Sequence, residues 1–351
     1  MKILHIVPSY KPAYVYGGPI MSVAELCEWT VRAGHDVSVY TTTANGKTEL
    51  DVETGQEYII ENVRVSYFPR WTKDHTHFSL ALMVRLFKNA KSFDVIHIHS
   101  WWNLVTLFSV LILKIKRRKF ILSPRGMFSP YTLGKSGFKQ KINQLLGRWL
   151  LDGAVFHATS TQESVELKEL FKSNMISVLP NFVRLPEQSF ESKSNHLQPH
   201  LKLLFLSRVD QKKGLEKLFH ILAKVNRSYT LTIAGNGDES YIQNLKILAE
   251  NLKISDRISW IGFVNSDEKF SVYNDHDITV LLSENENFAN VVAESIAVGT
   301  PVLISSHVGL SDWVLSEKMG WVMDQHEEII EFLEQLNPTN EIITKTNLRG
   351  S

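Results

Sequence analysis

Twice along this chain, short continuous apolar runs alternate with helical patterns, and a polar stretch separates the two series. The first series opens with ILHIV at 3–7, a run with no polar face, as expected of a strand buried on both sides of a parallel sheet. A helical pattern follows from Pro19 to Ala33 and stops at Gly34. Proline at the start and glycine past the end are the expected boundary residues. DVSVYTTT, VRVSYFP, DVIHIHS, KFILSP and AVFHATS continue the alternation. The stretch LPEQSFESKSNHLQPH at 185–200 has no periodicity and reads as a linker. The pattern then restarts with LKLLFLSR, YTLTIAG, RISWIGF, ITVLLS and PVLISS. Strand–helix alternation of this kind predicts an α/β fold of two doubly wound, Rossmann-like domains, over 1–184 and 201–351. Two such domains facing across a cleft would hold a ligand at the carboxyl ends of their strands.

Composition narrows the class. At 351 residues the chain is comfortable for two domains. Its single cysteine, Cys27, rules out an internal disulfide and fits a reducing, cytoplasmic setting. The opening MKILHIVPSY is too short in apolar residues for a signal peptide, and LVTLFSVLILKIK near 104–116 is too short to span a bilayer. The net charge of +1 hides an asymmetry. Residues 1–184 hold 23 Lys plus Arg against 14 Asp plus Glu, and residues 185–351 hold 15 against 23. The densest basic run, KIKRRK at 114–119, lies beside apolar LFSVLIL; Lys135, Lys139, Lys141 and Arg148 follow, with Trp149 beside them. Such a surface suits peripheral contact with an anionic membrane, or a solvated helix end. No feature points to nucleic acid.

The chemistry concentrates in SENENFANVVAESIAVGTPV. Glu286 stands just before an apolar run and Glu294 inside it, and a carboxylate in apolar surroundings is costly unless paired. Between them Phe288, Ala289, Asn290 and Val291 open a predicted helix over 288–298. The first amides of a helix lack internal acceptors and carry partial positive charge, which suits a phosphate. Two carboxylates flanking an anion-binding helix start suit a sugar nucleotide. A capped amphipathic helix with one satisfied glutamate is the competing account.

Other constellations fall at predicted strand ends. Arg208 and Lys213, in LFLSRVDQKKGLEKL, follow a strand and precede a helix. They suit neutralisation of a diphosphate, or are solvated loop cations. Gly235 and Gly237 in LTIAGNGDESY make a strand–helix turn, with or without ligand contact; Ser240 breaks a dinucleotide fingerprint. Gly17 and Gly18 allow backbone to approach a ligand, or simply make a turn. His97 and His99 share one strand face, and His99 lies nearer the carboxyl end. Trp101, Trp102 and Arg125 follow nearby, Arg125 in SPRGM; it suits a phosphate or an acidic acceptor, or a local carboxylate. Asp275-His276-Asp277 precedes its strand, so it reads as strand-entry polar residues. No other cluster has metal spacing, and no nucleophile elbow or P-loop is present.

Glu, seven residues, Glu, then Gly299-Thr300-Pro301-Val302 resembles the donor-site signature of retaining glycosyltransferases with the GT-B fold, in particular glycosyltransferase family 4 (glycosyl transferases group 1). Arg208, four residues, Lys213, Gly214 resembles the diphosphate motif of the same family. The resemblance covers about residues 2–324. It implies an amino-terminal acceptor-binding domain and a carboxyl-terminal nucleotide-sugar-binding domain. It also implies a metal-independent, cofactor-free retaining transfer, with a UDP-sugar favoured over a GDP-sugar as donor. The acceptor would be a saccharide or lipid-linked, in surface polysaccharide or glycolipid synthesis, with peripheral attachment to the inner face of the cytoplasmic membrane.

By this resemblance Glu286 contacts the donor sugar, Glu294 the ribose, Arg208 and Lys213 the diphosphate, and His99 helps orient the sugar. Gly17, Gly18, Gly235 and the 288–291 amides approach the donor. Arg125, Trp101 and Trp102 are acceptor-side candidates. Family members usually carry glycine where this chain has Ala289, and many carry His-Gly where it has Arg125-Gly126. Relatives usually continue past EEIIEFLEQL into a long helix that crosses back onto the first domain; here the sequence stops at TNLRGS, as expected either of a naturally short protein or of one truncated at its carboxyl terminus. A GT-B sugar-nucleotide epimerase and a non-catalytic sugar-nucleotide sensor are the alternatives.

Overall fold

The computed structural model describes residues 1–134, 147–185, 200–265 and 268–336. Lys135, Lys139 and Lys141, nearly all of the 185–200 linker and the chain end beyond Leu336 lie outside the described residues. The chain divides into two compact units, Met1–Phe182 and Val183–Ser351.

The first unit is built from β1 (Lys2–Ile6), β2 (Asp36–Thr42), the small ribbon β3 (Ala44–Asn45) and β4 (Thr48–Glu49), β5 (Glu57–Ile60), β6 (Val63–Phe68), β7 (Val95–His99), β8 (Ile121–Ser123), β9 (Val155–Ala158) and β10 (Ile176–Val178). Eight strands form one sheet in the order β10-β9-β8-β7-β1-β2-β6-β5. Every pairing is parallel except β5 with β6. The strand order reverses direction at β1, so the topological switch point lies between β1 and β7, where an open α/β sheet leaves a crevice beyond its carboxyl ends. One core cluster packs Ile96, Ile98, Leu122 and Phe156 with Leu82, Leu86, Val105 and Leu113 of two helices. The other packs Val37, Val39 and Val65 with Val23, Ala24 and Cys27 of the Gly18–Arg32 helix. Both faces are thus covered, as the apolar runs require.

The second unit contains β11 (Leu201–Leu206), β12 (Tyr229–Ala234), β13 (Ile258–Gly262), β14 (Ile278–Leu281), β15 (Val302–Ile304) and β16 (Gly320–Val322). They pair in parallel in the order β13-β12-β11-β14-β15-β16. Counted from the unit's first strand this is 3-2-1-4-5-6, the doubly wound order whose switch point lies between its first and fourth strands, here β11 and β14. Two α/β domains with parallel sheets are what the alternating sequence predicts.

The helix expected over 288–298 runs from Asn290 to Ala297. It starts later because Ala289 takes φ 67°, ψ 76°, a left-handed conformation that cannot propagate a right-handed helix. Asp277 accepts the backbone N–H of Lys202 at 2.8 Å, in keeping with a strand-entry role.

Candidate functional site

In the second unit, the loops after β11 and β14 lie at the switch point, and they carry Arg208, Lys213 and Glu286. Lys213 ends a short 3-10 turn, Gln211–Lys213, started by Asp210, whose carboxylate accepts the N–H of Lys212. Gly214 follows at φ 77°, and a Cβ there would lie 2.2 Å from the Leu282 carbonyl. Only glycine lets the β11 loop press this closely on the end of β14. The contact brings Lys213 to Glu286, and the buried ammonium donates to Glu286 Oε2. Glu286 is itself fixed by backbone: its N–H donates to the His307 carbonyl at 3.0 Å, and its carbonyl accepts from Gly309 at 2.7 Å. Arg208 reaches outward, half exposed, 3.6 Å from Asp210. Lys212 is half-buried, and burial lowers its pKa.

Glu294, on the Asn290–Ala297 helix, is buried and satisfied. Lys269 donates to Oε1 at 2.7 Å and the Tyr273 hydroxyl to Oε2 at 3.1 Å, both from the helix Lys269–Asn274. Burial, then the adjacent carboxylate, pushes the Tyr273 phenol well above its ordinary value, so it stays a donor. Sequence reasoning missed Lys269 and Tyr273; EKFSVYN carries no motif and joins the site only through packing. Phe288, Ala289 and Val291 sit at the helix entrance, Phe288 and Ala289 buried. Gly235, at φ 141°, follows β12, and a Cβ there would lie 1.9 Å from the Ser207 carbonyl. Close strand crossing thus explains this glycine without a ligand.

The first unit has its own cluster at its switch point. His5 on β1 and His99 at the end of β7 stack with ring centroids 5.2 Å apart, and His5 Nδ1 lies 2.9 Å from His99 Nε2. His97, in register with His5, packs against His99 at 4.1 Å. Ser123 Oγ links His97 Nε2 at 3.2 Å to His157 Nδ1 at 2.6 Å. Arg125 donates from Nη1 to Ser22 Oγ at 2.9 Å and Asn181 Oδ1 at 3.1 Å. Burial holds His5 down at about 3 and His157 at about 4, and holds His97 and His99 well below the usual imidazole range; the Arg125 charge adds to each. Desolvation lowers Arg125 itself to about 10.

His5, His97 and His99 each offer a nitrogen within 4.8 Å of the others, the one group of potential metal ligands among the described residues. The adjacent guanidinium disfavours a cation there. Gly17, at φ 70°, and Gly18 begin the Gly18–Arg32 helix, and a side chain at either would meet open space. Trp101 is wholly buried against Phe128, which gives it a packing role. Trp102 is half-buried and donates Nε1–H to the Met127 carbonyl at 2.8 Å. His5 and His157 were not anticipated; the histidine interrupting the apolar run ILHIV is the signal that could have found the first.

Residues 187–346 match the family model described as glycosyl transferases group 1, and residues 16–186 match that of Glycosyltransferase Family 4. An uncharacterized glycosyltransferase of Methanocaldococcus jannaschii is 27% identical, covering 94% of this chain and 87% of the relative. A glycogen synthase of Mycobacterium tuberculosis is 25% identical over 91% of this chain and 81% of its own. Among solved structures, the sucrose-phosphate synthase of Thermosynechococcus elongatus superposes with TM-score 0.74 at 17% identity, over 96% of this chain and 89% of that one. HepE from Anabaena, in complex with UDP and glucose, superposes with TM-score 0.71 at 18% identity, over 95% and 89%.

Proposed function

This chain belongs to glycosyltransferase family 4, with the GT-B fold, and from that premise we propose that it moves a sugar from a UDP-sugar to a saccharide or lipid-linked acceptor with retention of anomeric configuration. The observation that carries this reading is the pairing of Lys213 with Glu286 beside the Arg208 loop, at the switch point of the second unit. An α/β sheet presents its ligand site at that place. Arg208 and Lys213 would neutralise the diphosphate as it departs, aided by the amides at the start of the Asn290–Ala297 helix. Glu286 would accept hydroxyl hydrogens from the donor sugar, and Glu294 from the ribose. The bond from the anomeric carbon to the phosphate oxygen breaks, the acceptor oxygen bonds to that carbon on the same face, and its proton passes to the leaving phosphate. These charges would serve without a metal ion. The UDP preference is supported by the UDP and glucose in the HepE complex.

The first unit would take the acceptor and touch an anionic membrane surface. Leu80, Val84, Phe87, Phe108 and Ile115 are exposed on two packed helices, and Lys116 Nζ lies 3.5 Å from the Phe87 ring centroid. Apolar side chains mixed with cations suit lipid headgroups. No helix among the described residues is long and apolar enough to cross a bilayer.

The donor assignment is tested by incubating the full chain with UDP- and GDP-sugars and following unfolding temperature and released nucleotide diphosphate. UDP should raise the unfolding temperature by mass action. A chain stabilised by neither nucleotide would sink the reading. Membrane contact is tested by co-sedimentation with vesicles containing phosphatidylglycerol, where F87E should release the protein.

A further inference from the structure

The cluster at the β1–β7 switch point has a surplus of hydrogen-bond donors. Arg125 Nε and Nη2 are buried and make no hydrogen bond among the described residues. The same holds for His5 Nε2 and His99 Nδ1. These two imidazoles share one hydrogen, along the 2.9 Å contact from His5 Nδ1 to His99 Nε2. If His5 donates in that contact, the proton of neutral His99 sits on Nδ1; if His99 donates, the proton of neutral His5 sits on Nε2. Either tautomer therefore leaves one buried imidazole N–H and one imidazole lone pair unmet, beside the one N–H of Arg125 Nε and the two of Nη2. Glu163, the carboxylate that acts on Arg125, accepts from the backbone N–H of Gly126 at 2.6 Å with one oxygen and of Thr159 at 2.7 Å with the other. Arg125 holds its place at φ 55°, in the left-handed region that a non-glycine residue enters only at a cost.

Unsatisfied buried donors are expensive, and a set around a guanidinium in which unmet N–H donors outnumber the single unmet imidazole lone pair asks for an acceptor-rich anion. Building on the reading of the first unit as the acceptor domain, we propose that this cluster binds an oxyanion carried by the acceptor, a phosphate or a carboxylate, with Arg125 as the residue that selects for it. The acceptor class is then an anionic sugar, such as a sugar phosphate or a uronate, in preference to a neutral one.

Calorimetric titration of the full chain saturated with UDP, using inorganic phosphate, glucose 6-phosphate, glucuronate and glucose in turn, tests this. Saturation with UDP occupies the donor site, so the anion is read elsewhere. The two charged sugars and phosphate should bind and glucose should not. Tighter binding of glucose 6-phosphate would name phosphate as the group read, and tighter binding of glucuronate would name carboxylate. R125K keeps the charge but loses the planar donor set, and should weaken the anion at least about tenfold. R208A should leave the anion's affinity unchanged. Circular dichroism and UDP affinity of R125K check that the variant is folded. Equal affinity for glucose and the charged sugars, an R125K affinity equal to wild type, or tight zinc binding in place of the anion would each overturn the proposal. The anion titration can also be run on R208A without UDP, so failure to bind UDP would count against the donor reading alone.

Discussion

Lys213 and Glu286, 73 residues apart in the chain, form an ion pair in which the ammonium is buried and the carboxylate is largely so. Two strands, β11 and β14, are needed to bring them together, and each is held by its own loop. Removing one partner leaves the other as an uncompensated charge out of water. K213M should therefore lower stability by about 2 kcal/mol, less than a fully buried pair would lose, because Glu286 keeps some solvent. The double variant K213M/E286Q should recover most of that loss, since an apolar and a neutral group can replace a buried pair. Neither variant should transfer sugar if the pair meets the donor. Urea unfolding gives the stability and release of UDP gives the activity; a double variant that recovers both would show the pair to be structural.

Glu294 accepts from Lys269 and Tyr273, so its two oxygens are oriented before any ligand arrives. If those oxygens also take ribose hydroxyls, Y273F should weaken UDP by about ten- to a hundredfold at most, the worth of one hydrogen bond to a charged group. E294A should lose more. Against wild type, 2′,3′-dideoxy UDP should bind more weakly than UDP; against E294A the two should bind alike. Isothermal titration reads all of these affinities. A dideoxy penalty that persists in E294A would move the ribose contact elsewhere.

The two doubly wound sheets were legible because apolar strand runs and their helical partners are local signals, and a parallel sheet buries its strands completely. The order 3-2-1-4-5-6 is a long-range fact that no local pattern carries. The same divide runs through the site. Glu286, Glu294, Arg208 and Lys213 are conspicuous because charge beside apolar sequence has a visible cost. Lys269 and Tyr273 lie on a six-residue helix with no motif, and their part is set only when it packs against the Asn290–Ala297 helix. His99 was legible from its place at a strand end, whereas its partner His5 enters through β-sheet register.

The histidine cluster makes stability depend on pH in a stated direction. His5 and His157 ionise near 3 and 4 in the folded chain, and His97 and His99 also lie well below 6.5. In the unfolded chain all four titrate near the ordinary value of about 6.5. Below that pH the unfolded state binds more protons than the folded one, so stability falls as pH drops from about 6.5 toward 4 and is unaffected by these groups above 7.5. Each histidine contributes at most about 1.4 kcal/mol per pH unit. Calorimetric unfolding at pH 7.5, 6 and 5 should show the decline, and H157Q should flatten it by up to one proton's worth of slope. A decline unchanged in H157Q would remove His157 from the groups that set the acid sensitivity.

Ala289 is the position where this chain departs from the glycine its relatives usually carry, and its backbone supplies a physical reason to expect strain. At φ 67°, ψ 76° it stands in the left-handed region, which costs an alanine about 1 kcal/mol and a glycine almost nothing. Two terms oppose the relief that A289G would bring. The unfolded chain gains freedom worth about 0.4–1 kcal/mol, and a buried methyl is lost, worth about 0.8 kcal/mol. The net change should lie within about 1 kcal/mol of zero. A293G, in the interior of the neighbouring helix, has no strain to relieve and should cost more, since helix propensity alone takes about 1 kcal/mol. The comparison of the two variants by urea unfolding isolates the backbone term, because both remove one methyl from the same helix region. A289G costing as much as A293G would mean that the left-handed turn carries no strain, and the methyl's effect on donor choice would then have to be sought in the space it fills.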